Sequence, residues 1–512
     1  MADKKKIIIV GAGPGGLTAG MILAHRGFDV QIFEKAEEVG GRNAAIKLGG
    51  YTFDTGPTFL MMNYILEDMF RETGRSAKDY LDFKRLDPMY RLIFDDREFS
   101  PSTDRVKIIK EMDRVFPGES KNMERFMQNE GKRFEMLFPC LQKDYSSFTA
   151  FFKPVFLKAF PYLALDRTIY QNLSTYFKEE KLRLSFTFQS KYLGMSAWEC
   201  PGAFTIIPYI EHKWGIFHVI GGLNRISHAM AKVVEEECGK IHLKTPVKRI
   251  ITEGKKAKGV ELENGEKIMA DEVIVNADFS YATTHLFDKG VIKKYTEPKL
   301  MKRKYSCSIF MMYLGVKKKY NMPHHNIFFS KDYRTNVDNI FKNMKLTDDT
   351  AFYIQNASMT DPTLAPPGKS TLYVLVPVPN KKANIDWKTE KEKVKNNVLN
   401  LMETKAGLKD LRQNIEAEMI YTPDNWVDDL NVFLGATFNL GHNLSQMLYF
   451  RPRNRFEEVK NVYLVGGGTH PGSGLPTIYE SSRISANLIS KKYNVPYEIP
   501  TLLSGKITVD GK

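Results

Sequence analysis

The sequence is short of cysteine and of long apolar runs, and each shortage excludes a class of protein. Its four cysteines, Cys140, Cys200, Cys238 and Cys307, are scattered, with no C-x-x-C pair and no histidine at zinc-site spacing. A disulfide-stapled domain and a metal centre are therefore not expected, and the thiols are predicted to be reduced and partly buried in a cytoplasmic protein. No stretch of about twenty uncharged apolar residues occurs, so a membrane-spanning helix is not expected either.

Basic residues outnumber acidic ones, which gives the 512-residue chain a formal net charge of +14. Such a surplus is typical of proteins that bind nucleic acid or an anionic surface. Helix-turn-helix, zinc-finger and RNA-binding signatures are all missing, so no nucleic-acid partner is predicted. The charge then favours contact with an anionic membrane surface.

The stretch from residue 7 to residue 35 reads IIIVGAGPGGLTAGMILAHRGFDVQIFEK. Its apolar strand, glycine turn, helix and second strand predict a βαβ unit, and the glycines and proline argue against a secretory signal. Gly11, Gly13 and Gly16 fill the G-x-G-x-x-G pattern, which lets the backbone approach a pyrophosphate at a helix amino end. Glu34 ends the second strand, where a carboxylate accepts hydrogen bonds from a ribose. The cofactor-binding residues predicted here are Gly11, Ala12, Gly13, Pro14, Gly15, Gly16, Glu34 and Lys35.

A second glycine pair follows in EVGGRNAAIKLGGYTFDTGPTF, residues 38–59. Alone, this pair indicates only an ordinary loop. After the βαβ unit, the stretch resembles the second signature of the flavoproteins that include amine oxidases and carotenoid desaturases. The resemblance implies FAD rather than NAD, with Arg42 near the pyrophosphate. We predict that Gly41, Arg42, Pro57 and Thr58 contact this cofactor.

Two later segments are predicted to complete the nucleotide site. Residues 215–280 contain a helix near 223–236, the strand-like run IHLKTPVKRIIT, a type I′ hairpin at Asn264–Gly265 and the buried strand DEVIVNAD. Residues 465–483, VGGGTHPGSGLPTIYESSR, place a glycine-rich loop between a strand and a helix predicted over 475–490. The cofactor-binding residues predicted from these segments are Val247, Asn276, Gly467, Gly468, Gly474, Leu475 and Pro476.

The order of these pieces predicts an α/β fold with a Rossmann-like FAD-binding domain assembled from discontinuous segments. We assign residues 1–90, 215–295 and 431–495 to that domain. Residues 91–214 are predicted to be a helical insertion that associates with a membrane. Residues 296–430 are predicted to be a mixed α+β substrate-binding domain, because YSCSIFMMYLGV and STLYVLVPVP have the composition of strands. Residues 496–512 are assigned to a C-terminal tail.

The helical insertion contains SSFTAFFKPVFLKAFPYLALDRTIYQNLSTYF at residues 146–177, where Lys153 and Lys158 interrupt a run dense in Phe, Tyr and Leu. Two interpretations remain open. The composition suits an interfacial element of a peripheral membrane protein, with rings at headgroup depth and lysines at the phosphates. The same apolar stripe also suits a helical core segment.

The order of motifs, from the first strand to about residue 495, resembles the bacterial-type phytoene desaturase family of carotenoid dehydrogenases, within the FAD-dependent amine oxidase-like flavoproteins. Beyond the FAD segments, the resemblance rests on GIFHVIGGL at 215, HHNIFFSKDYR at 324, DPTLAPPGKSTLYVLVPVP at 361 and NLGHNLSQMLYFRPRNR at 439. After GGGTHPGSGLPT the chain departs from many members, with IYESSR following Thr477, which leaves the subfamily open. From the 439 segment we predict the substrate-lining residues His442, Gln446, Tyr449 and Phe450.

The resemblance implies an FAD-dependent enzyme that dehydrogenates a long acyclic carotenoid such as phytoene or diapophytoene, with oxygen or a quinone as electron acceptor. A hydrocarbon has no carbonyl to acidify its hydrogens, so loss of a hydride to a flavin, followed by loss of a proton, is the accessible route. Carrying a C30 to C40 polyene through water would cost on the order of 20–30 kcal/mol, so the substrate is expected from a membrane. His442 is a candidate proton acceptor, with a purely structural histidine as the alternative.

Other functions remain open at this point. A retinoid saturase or carotenoid isomerase of the same family would use related chemistry, and an amine oxidase would share the FAD turn. A prenyl-lipid escort protein of the same fold would lack both flavin and catalysis. The substrate's chain length and end groups, the number of desaturation steps and the oligomeric state are not determined by the sequence.

Overall fold

A computed structural model of the chain describes residues 4–497, so residues 498–512 of the predicted C-terminal tail lie outside the described residues. One half of the protein is built on a five-stranded sheet in which every neighbouring pair of strands is parallel. In spatial order, its strands are Val462–Leu464, Glu272–Val275, Lys6–Val10, Asp29–Phe33 and Lys240–His242. These strands come from three distant parts of the chain, as expected for a Rossmann-like sheet assembled from discontinuous segments.

Three helices pack together beside this sheet, Pro14–His25, Asn224–Glu236 and Leu475–Lys492. The first begins at Pro14, whose fixed φ suits the first turn of a helix. Its Gly20 allows close packing on the sheet, because a Cβ there would lie 2.7 Å from the Ile32 side chain. The predicted βαβ unit is therefore present, and the helix predicted over 475–490 extends to Lys492.

The run IHLKTPVKRIIT was expected to be strand-like throughout, and this is corrected: it contributes to two separate strands. Lys240–His242 lies at the edge of the five-stranded sheet, whereas Val247–Glu253 pairs elsewhere. The break has a local cause, because Lys244 adopts a left-handed φ of 53° and Pro246 has no N–H to donate.

Val247–Glu253 forms a three-stranded antiparallel sheet with Lys256–Leu262 and Lys267–Met269. The predicted hairpin joins the last two strands, but its turn is not type I′. A type I′ turn needs positive φ at both central residues, and of Asn264 and Gly265 only Gly265, at φ 87°, is left-handed. The N–H of Leu262 instead bonds to the Glu266 carbonyl at 2.8 Å across residues 263–265.

The other half centres on a mixed seven-stranded sheet. In spatial order, its strands are Ile415–Tyr421, Ser308–Val316, Ser370–Val378, Phe352–Gln355, His325–Phe328, Arg91–Ile93 and Glu98–Phe99. The even-numbered residues from Phe310 to Leu314 pack in a core with Trp387 of the helix Trp387–Thr404. The odd-numbered residues from Ile309 to Tyr313 pack in a second cluster with Trp426. The central strands predicted from YSCSIFMMYLGV and STLYVLVPVP are thus apolar on both faces.

The remaining elements connect and cover these sheets. Two short ribbons pair Ala45–Leu48 with Tyr51–Asp54 and Phe83–Arg85 with Phe217–Val219. The helices between residues 105 and 214 are Arg105–Val115, Lys121–Leu141, Pro154–Ala159, Ile169–Ser174, Glu180–Ser185 and Ile206–Trp214. The other α-helices are Asn63–Arg71, Phe279–His285, Glu297–Met301, Tyr333–Asp338, Leu411–Asn414 and Pro423–Asp428. Within residues 4–497, no helix has the length and apolar character needed to cross a membrane. The cysteines Cys140, Cys200 and Cys307 are buried, Cys238 is exposed, and all of them are free.

Candidate functional site

A cavity of about 1200 Å³ is lined by residues from both halves of the protein. Small-molecule sites commonly measure about 300–1,000 Å³, so this cavity has room for more than one ordinary ligand. We call the part around the turn after Val10 its nucleotide end. We call the part bounded by the seven-stranded sheet and the short helix Phe188–Leu193 its apolar end.

The turn between the first strand and the first helix forms the base of the nucleotide end. Gly11 and Gly13 lie on the cavity wall, and Gly11 has a left-handed φ of 98°. Gly16 lies behind the wall, where a Cβ would sit 2.1 Å from the Gly11 carbonyl oxygen, so only glycine lets the turn close. The result is an open cradle at the amino end of a helix, which suits the phosphates of a nucleotide.

Glu34 is fixed at the end of the second strand by two backbone hydrogen bonds. Its Oε2 accepts the N–H of Ala12 at 2.8 Å, and its Oε1 accepts the N–H of Ala36 at 2.9 Å. The carboxylate is buried and lines the cavity. Because each carboxylate oxygen can accept more than one hydrogen bond, Glu34 can also receive a ribose hydroxyl.

Arg42 brings a positive charge to the same end of the cavity. Its Nη1 donates to the Thr437 carbonyl at 2.7 Å, which ties the guanidinium to a segment far along the chain. Burial lowers the pKa of Arg42, and the charge of the nearby Asp278 carboxylate opposes that shift. A guanidinium held on the wall of an enclosed cavity suits an anionic pyrophosphate.

With the exception of Ala12 and Gly16, the predicted cofactor residues all lie on the cavity wall. Those on the wall are Gly11, Gly13, Pro14, Gly15, Glu34, Lys35, Gly41, Arg42, Pro57, Thr58, Val247, Asn276, Gly467, Gly468, Gly474, Leu475 and Pro476. Asn276 joins two of these segments, because its Nδ2 donates to the Gly11 carbonyl at 3.0 Å. Contact between each residue and the cofactor stays a prediction.

His442 does not lie on the wall of this cavity, so the prediction that it lines the substrate gains no support here and stays a prediction. Its Nε2 accepts the N–H of Ser473 at 3.1 Å, so the nitrogen that could take a proton is already occupied. Burial, together with the charge of Arg451, lowers the pKa of His442 well below its ordinary value. These contacts favour the structural alternative, in which His442 supports the glycine-rich loop at 466–474.

The other three predicted substrate-lining residues also lie away from the wall. Gln446 is buried, and its Nε2 donates to the Lys304 carbonyl at 2.8 Å. Tyr449 packs edge-on against Phe148 on the outer surface, with ring centroids 5.6 Å apart. Phe450 is 49% exposed. These three residues thus lie outside the wall of this cavity, and their contact with a substrate stays a prediction.

The apolar end is walled by aromatic side chains that the sequence patterns did not single out. They include Phe59, Tyr90, Phe188, Tyr192, His325, Tyr333, Tyr353, Tyr373, Trp426 and Phe438. Some of their polar atoms are bonded within the protein: the Tyr353 hydroxyl lies 3.0 Å from the Thr58 Oγ1 and 2.6 Å from Nδ1 of His325. The Tyr373 hydroxyl donates to the Gly56 carbonyl at 2.8 Å. These bonds hold the Tyr353 and Tyr373 rings in place and satisfy their hydroxyls, whereas Nε2 of His325 is buried without a partner among the described residues.

Glu211 lies behind this wall and carries a prediction about stability. Its Oε2 accepts hydrogen bonds from the Tyr90 hydroxyl at 2.9 Å and from Gln189 at 2.8 Å. Burial nevertheless raises the pKa of Glu211 from 4.5 to about 7. In an unfolded chain this carboxyl group ionises near pH 4.5, whereas in the folded protein it stays protonated up to about pH 7. The folded state is therefore destabilised by an amount that grows from pH 4.5 to about 7 and is constant above that.

Glu211→Gln is therefore expected to stabilise the protein at pH 8 by about 3 kcal/mol, and at pH 5 by less than about 1 kcal/mol. Gln keeps the shape of the side chain and an acceptor oxygen, but it has no charge to bury. Melting temperatures of both proteins across pH 5–8 measure the difference. A difference that is the same at both ends of this range would contradict the assigned shift.

Comparison with known proteins is consistent with these features. A family model described as flavin containing amine oxidoreductase matches residues 14–490. The chain is 55% identical to the 4,4'-diapophytoene desaturase (4,4'-diapolycopene-forming) of Methylomonas sp, over 97% of this chain and 98% of that protein. It is 38% identical to the zeta-carotene-forming phytoene desaturase of Myxococcus xanthus, over 94% of this chain and 93% of that protein. Wild-type putrescine oxidase bound to putrescine superposes with a TM-score of 0.62 at 14% identity, over 95% of this chain and 99% of that one, which shows a common fold.

Proposed function

Because the chain belongs to the flavin-containing amine oxidoreductases and, within them, to the carotenoid desaturases, we propose that it converts 4,4'-diapophytoene to 4,4'-diapolycopene. It is an FAD-dependent oxidoreductase of carotenoid biosynthesis that acts on carbon–carbon single bonds. The observation that carries the choice of a C30 substrate is the 55% identity to a desaturase of that name over nearly the whole chain. The aromatic walls of the apolar end support a hydrocarbon ligand.

The residues at the nucleotide end fit FAD. The glycine cradle leaves space that a Cβ at Gly16 would close, Arg42 offers a charge for the pyrophosphate, and Glu34 offers acceptors for a ribose. When bound, FAD supplies a two-electron acceptor for a hydride from an allylic carbon. Asn276 and the loop at 466–474 line the same cavity and would enclose the cofactor from the carboxyl-terminal side.

The protein's own part in the reaction is to align the chain, exclude water and stabilise positive charge. The aromatic rings of the apolar end provide a low-dielectric wall with fixed positions, which holds one carbon–carbon bond in place. Ring faces such as those of Tyr373 and Trp426 also favour a developing cation on the polyene. Loss of water from the cavity protects that cation from capture.

The proposed function is tested by expressing the chain in cells that make 4,4'-diapophytoene, and separately in cells that make phytoene. We expect coloured products with longer conjugation and a mass lower by two hydrogens per step. A saturase or isomerase would leave the hydrogen count raised or unchanged, and an escort protein would bind polyene without altering it. Oxygen uptake, compared with reduction of an added quinone, identifies the electron acceptor.

We also propose that the enzyme collects its substrate at a membrane surface. Four side chains, Phe148, Phe152, Leu157 and Phe160, are 52%, 67%, 56% and 53% exposed, and we call them the aromatic patch. Phe156, in contrast, is only 7% exposed and anchors the segment in the core. Lys153 and Lys158 are exposed within the same segment, where their charges can reach lipid phosphates.

Replacing Phe148, Phe152 and Phe160 together by Ser is expected to weaken binding to anionic liposomes by at least about 100-fold, since each ring contributes about 1.5–3 kcal/mol when buried. Flotation with liposomes measures the change. Val106→Ser is the matched control, because Val106 is 77% exposed on a different helix, Arg105–Val115. Equal flotation of the triple variant and the control would contradict a role for the aromatic patch.

A further inference from the structure

Lys191 is a basic residue on the otherwise largely aromatic and apolar wall of the cavity's apolar end. It belongs to the short helix Phe188–Leu193 and lines the apolar end of the cavity. Its Nζ lies 4.9 Å from the centroid of the Tyr333 ring. Among residues 4–497, no carboxylate lies within 4 Å of this amine, and no hydrogen-bond partner of the amine is found.

The surroundings of Lys191 disfavour its positive charge. Burial lowers the pKa of Lys191 from 10.5 to about 8. The titratable groups that face it are the Cys307 thiol, whose pKa is raised to about 12, and the Tyr333 phenol, whose pKa is also raised, so both are neutral at pH 7. The face of the Tyr333 ring supports the ammonium form, whereas Cys307 would do so only as a thiolate.

A hydrocarbon in the cavity makes the charge still less favourable. An alkyl chain displaces the water that solvates the amine and offers no hydrogen bond in return. Binding of the substrate is therefore expected to release a proton from Lys191. The neutral amine that results would be a proton acceptor on the wall that the chain packs against.

We propose that Lys191 is the catalytic residue that accepts the proton in the desaturation step. FAD, held at the nucleotide end, would accept a hydride, with its electron pair, from one allylic carbon. The neighbouring carbon then gives up a proton to the Lys191 Nζ: the C–H bond breaks, an N–H bond forms, and the C–H electron pair becomes the new double bond. The inference rests on the proposed function and names the residue that completes it.

The other bases near the apolar end are less suited to this role. His325 also lines the cavity, but Phe59 packs edge-on against its ring, its Nδ1 is bonded to Tyr353, and its Nε2 is buried. The carboxylate of Glu34 is engaged by backbone N–H groups at the nucleotide end. No protein donor among the described residues bonds to the Lys191 Nζ, so the lone pair of its neutral form is available to a substrate proton.

The first test is a comparison of three side chains at this position in the FAD-loaded enzyme. Lys191→Met removes the acceptor and is expected to lower kcat about 100-fold or more, within the range for general-base catalysis. Lys191→Arg places a permanent cation beside a cationic intermediate, and its kcat is expected to be lower than that of Lys191→Met. A residue needed only for packing would give the opposite order, since Arg resembles Lys in length more closely than Met does.

The pH dependence separates catalysis from structure. The wild-type rate is expected to rise with pH and level off near pH 8 or below, because only the neutral amine accepts a proton. The Lys191→Met rate is expected to stay flat over the same range. Flavin content, read from its absorption, is expected to be unchanged in both variants. At pH 7 the affinity for the polyene is expected to be higher in Lys191→Met, which has no proton to release, and lower in Lys191→Arg, whose charge stays in place.

The second test needs no turnover. Squalane, a saturated C30 hydrocarbon without allylic hydrogens, is added to the FAD-loaded enzyme at pH 7 with a pH-indicator dye. We expect release of close to one proton per squalane bound in the wild type and in Lys213→Met, an exposed lysine used as control. Release is expected to be absent in Lys191→Met. Equal release from all three proteins, or undiminished activity of Lys191→Met, would overturn the assignment.

The two proposals can fail separately. If the wild-type enzyme converts neither polyene, the proposed function is wrong, whether or not squalane releases a proton. If the wild type makes conjugated product and Lys191→Met does so equally well, only the role of Lys191 is wrong. If Lys191→Met stays fully active and His325→Gln loses activity at normal flavin content, the role passes to the histidine, which is neutral at pH 7 because burial lowers its pKa to about 3.

Discussion

Gly13→Val is expected to give a folded protein that is colourless and does not take up added FAD. Gly13 lies on the wall of the nucleotide end, and its φ falls in the ordinary negative range. The substitution therefore strains no backbone angle, and its branched side chain projects toward the space where the phosphates are expected. A Cβ at this position already approaches the Asn276 Nδ2 to 3.0 Å, so the larger side chain has little freedom to turn away.

Flavin absorption of the purified protein, before and after incubation with FAD, measures this effect, and circular dichroism checks that the variant is folded. Gly13→Ala is the graded control, because a single methyl group fills far less of the cradle. We expect it to retain FAD with reduced affinity. A yellow Gly13→Val protein with normal flavin content would exclude this turn as the phosphate site.

Arg451→Met is expected to destabilise the protein by about 3–5 kcal/mol. Arg451 is fully buried, and its guanidinium donates to backbone carbonyls from two segments, including those of Thr469 at 3.0 Å and Gly467 at 2.6 Å. On the other side it reaches the carbonyls of Leu440 and Gly441, each at 3.3 Å. It therefore connects the 439 segment to the glycine-rich loop.

Two opposing effects decide the size of this change. Met removes a buried charge, which by itself stabilises the protein. The cost of burying that charge is seen in the pKa of Arg451, which burial lowers to about 9. Met also leaves several carbonyls without a donor, at about 1–3 kcal/mol each. The second effect is larger because several carbonyls lose their partner at once.

Denaturant unfolding followed by flavin fluorescence and by circular dichroism measures the loss for Arg451. Arg451→Lys keeps the charge but cannot span carbonyls on both segments, so an intermediate loss is expected. A Met variant as stable as the wild type would show that the loop at 466–474 does not depend on this residue.

The nucleotide end was predictable from the sequence because each of its parts is encoded by consecutive residues. The glycine turn, Glu34 at the end of a strand and the glycine-rich loop all depend on backbone geometry that their own residues dictate. The hairpin at Asn264–Gly265 shows the limit of that reasoning. The residue pair indicated a turn correctly, but the length of the loop, and hence its type, depended on how the strands pair.

The apolar end was not predictable, because the strands that wall it are apolar on both faces. On the strand Ser370–Val378, Tyr373, Leu375 and Pro377 line the cavity, while Leu372 and Val374 pack in the core on the opposite side. Alternation of polar and apolar residues normally marks the two faces of a strand, and it is missing here. Only the three-dimensional structure separates cavity-facing side chains from core.

The apolar residues of the segment at 146–177 are partly buried in the core and partly exposed, so the core interpretation holds for some of them and the interfacial one stays a proposal. Phe156 and Ala159 pack in the core, whereas Phe152 and Leu157 are exposed. The helical period divides the apolar residues between two environments, and composition alone cannot assign them. His442 shows a related limit: the motif singled the residue out, but only the structure shows that its side chain points to the N–H of Ser473.

The five-stranded sheet has a consequence for how the protein is made. The strand Glu272–Val275 is flanked on one side by Val462–Leu464, which is synthesised much later. The loop at 466–474 that closes over the nucleotide end follows that strand directly. On the ribosome, the strand Glu272–Val275 therefore has an unpaired edge, and the nucleotide end stays open, until residues 462–474 have been made. Flavin loading is expected only after that point, and chains that end before residue 462 are expected to expose an unpaired strand edge, a feature that promotes aggregation.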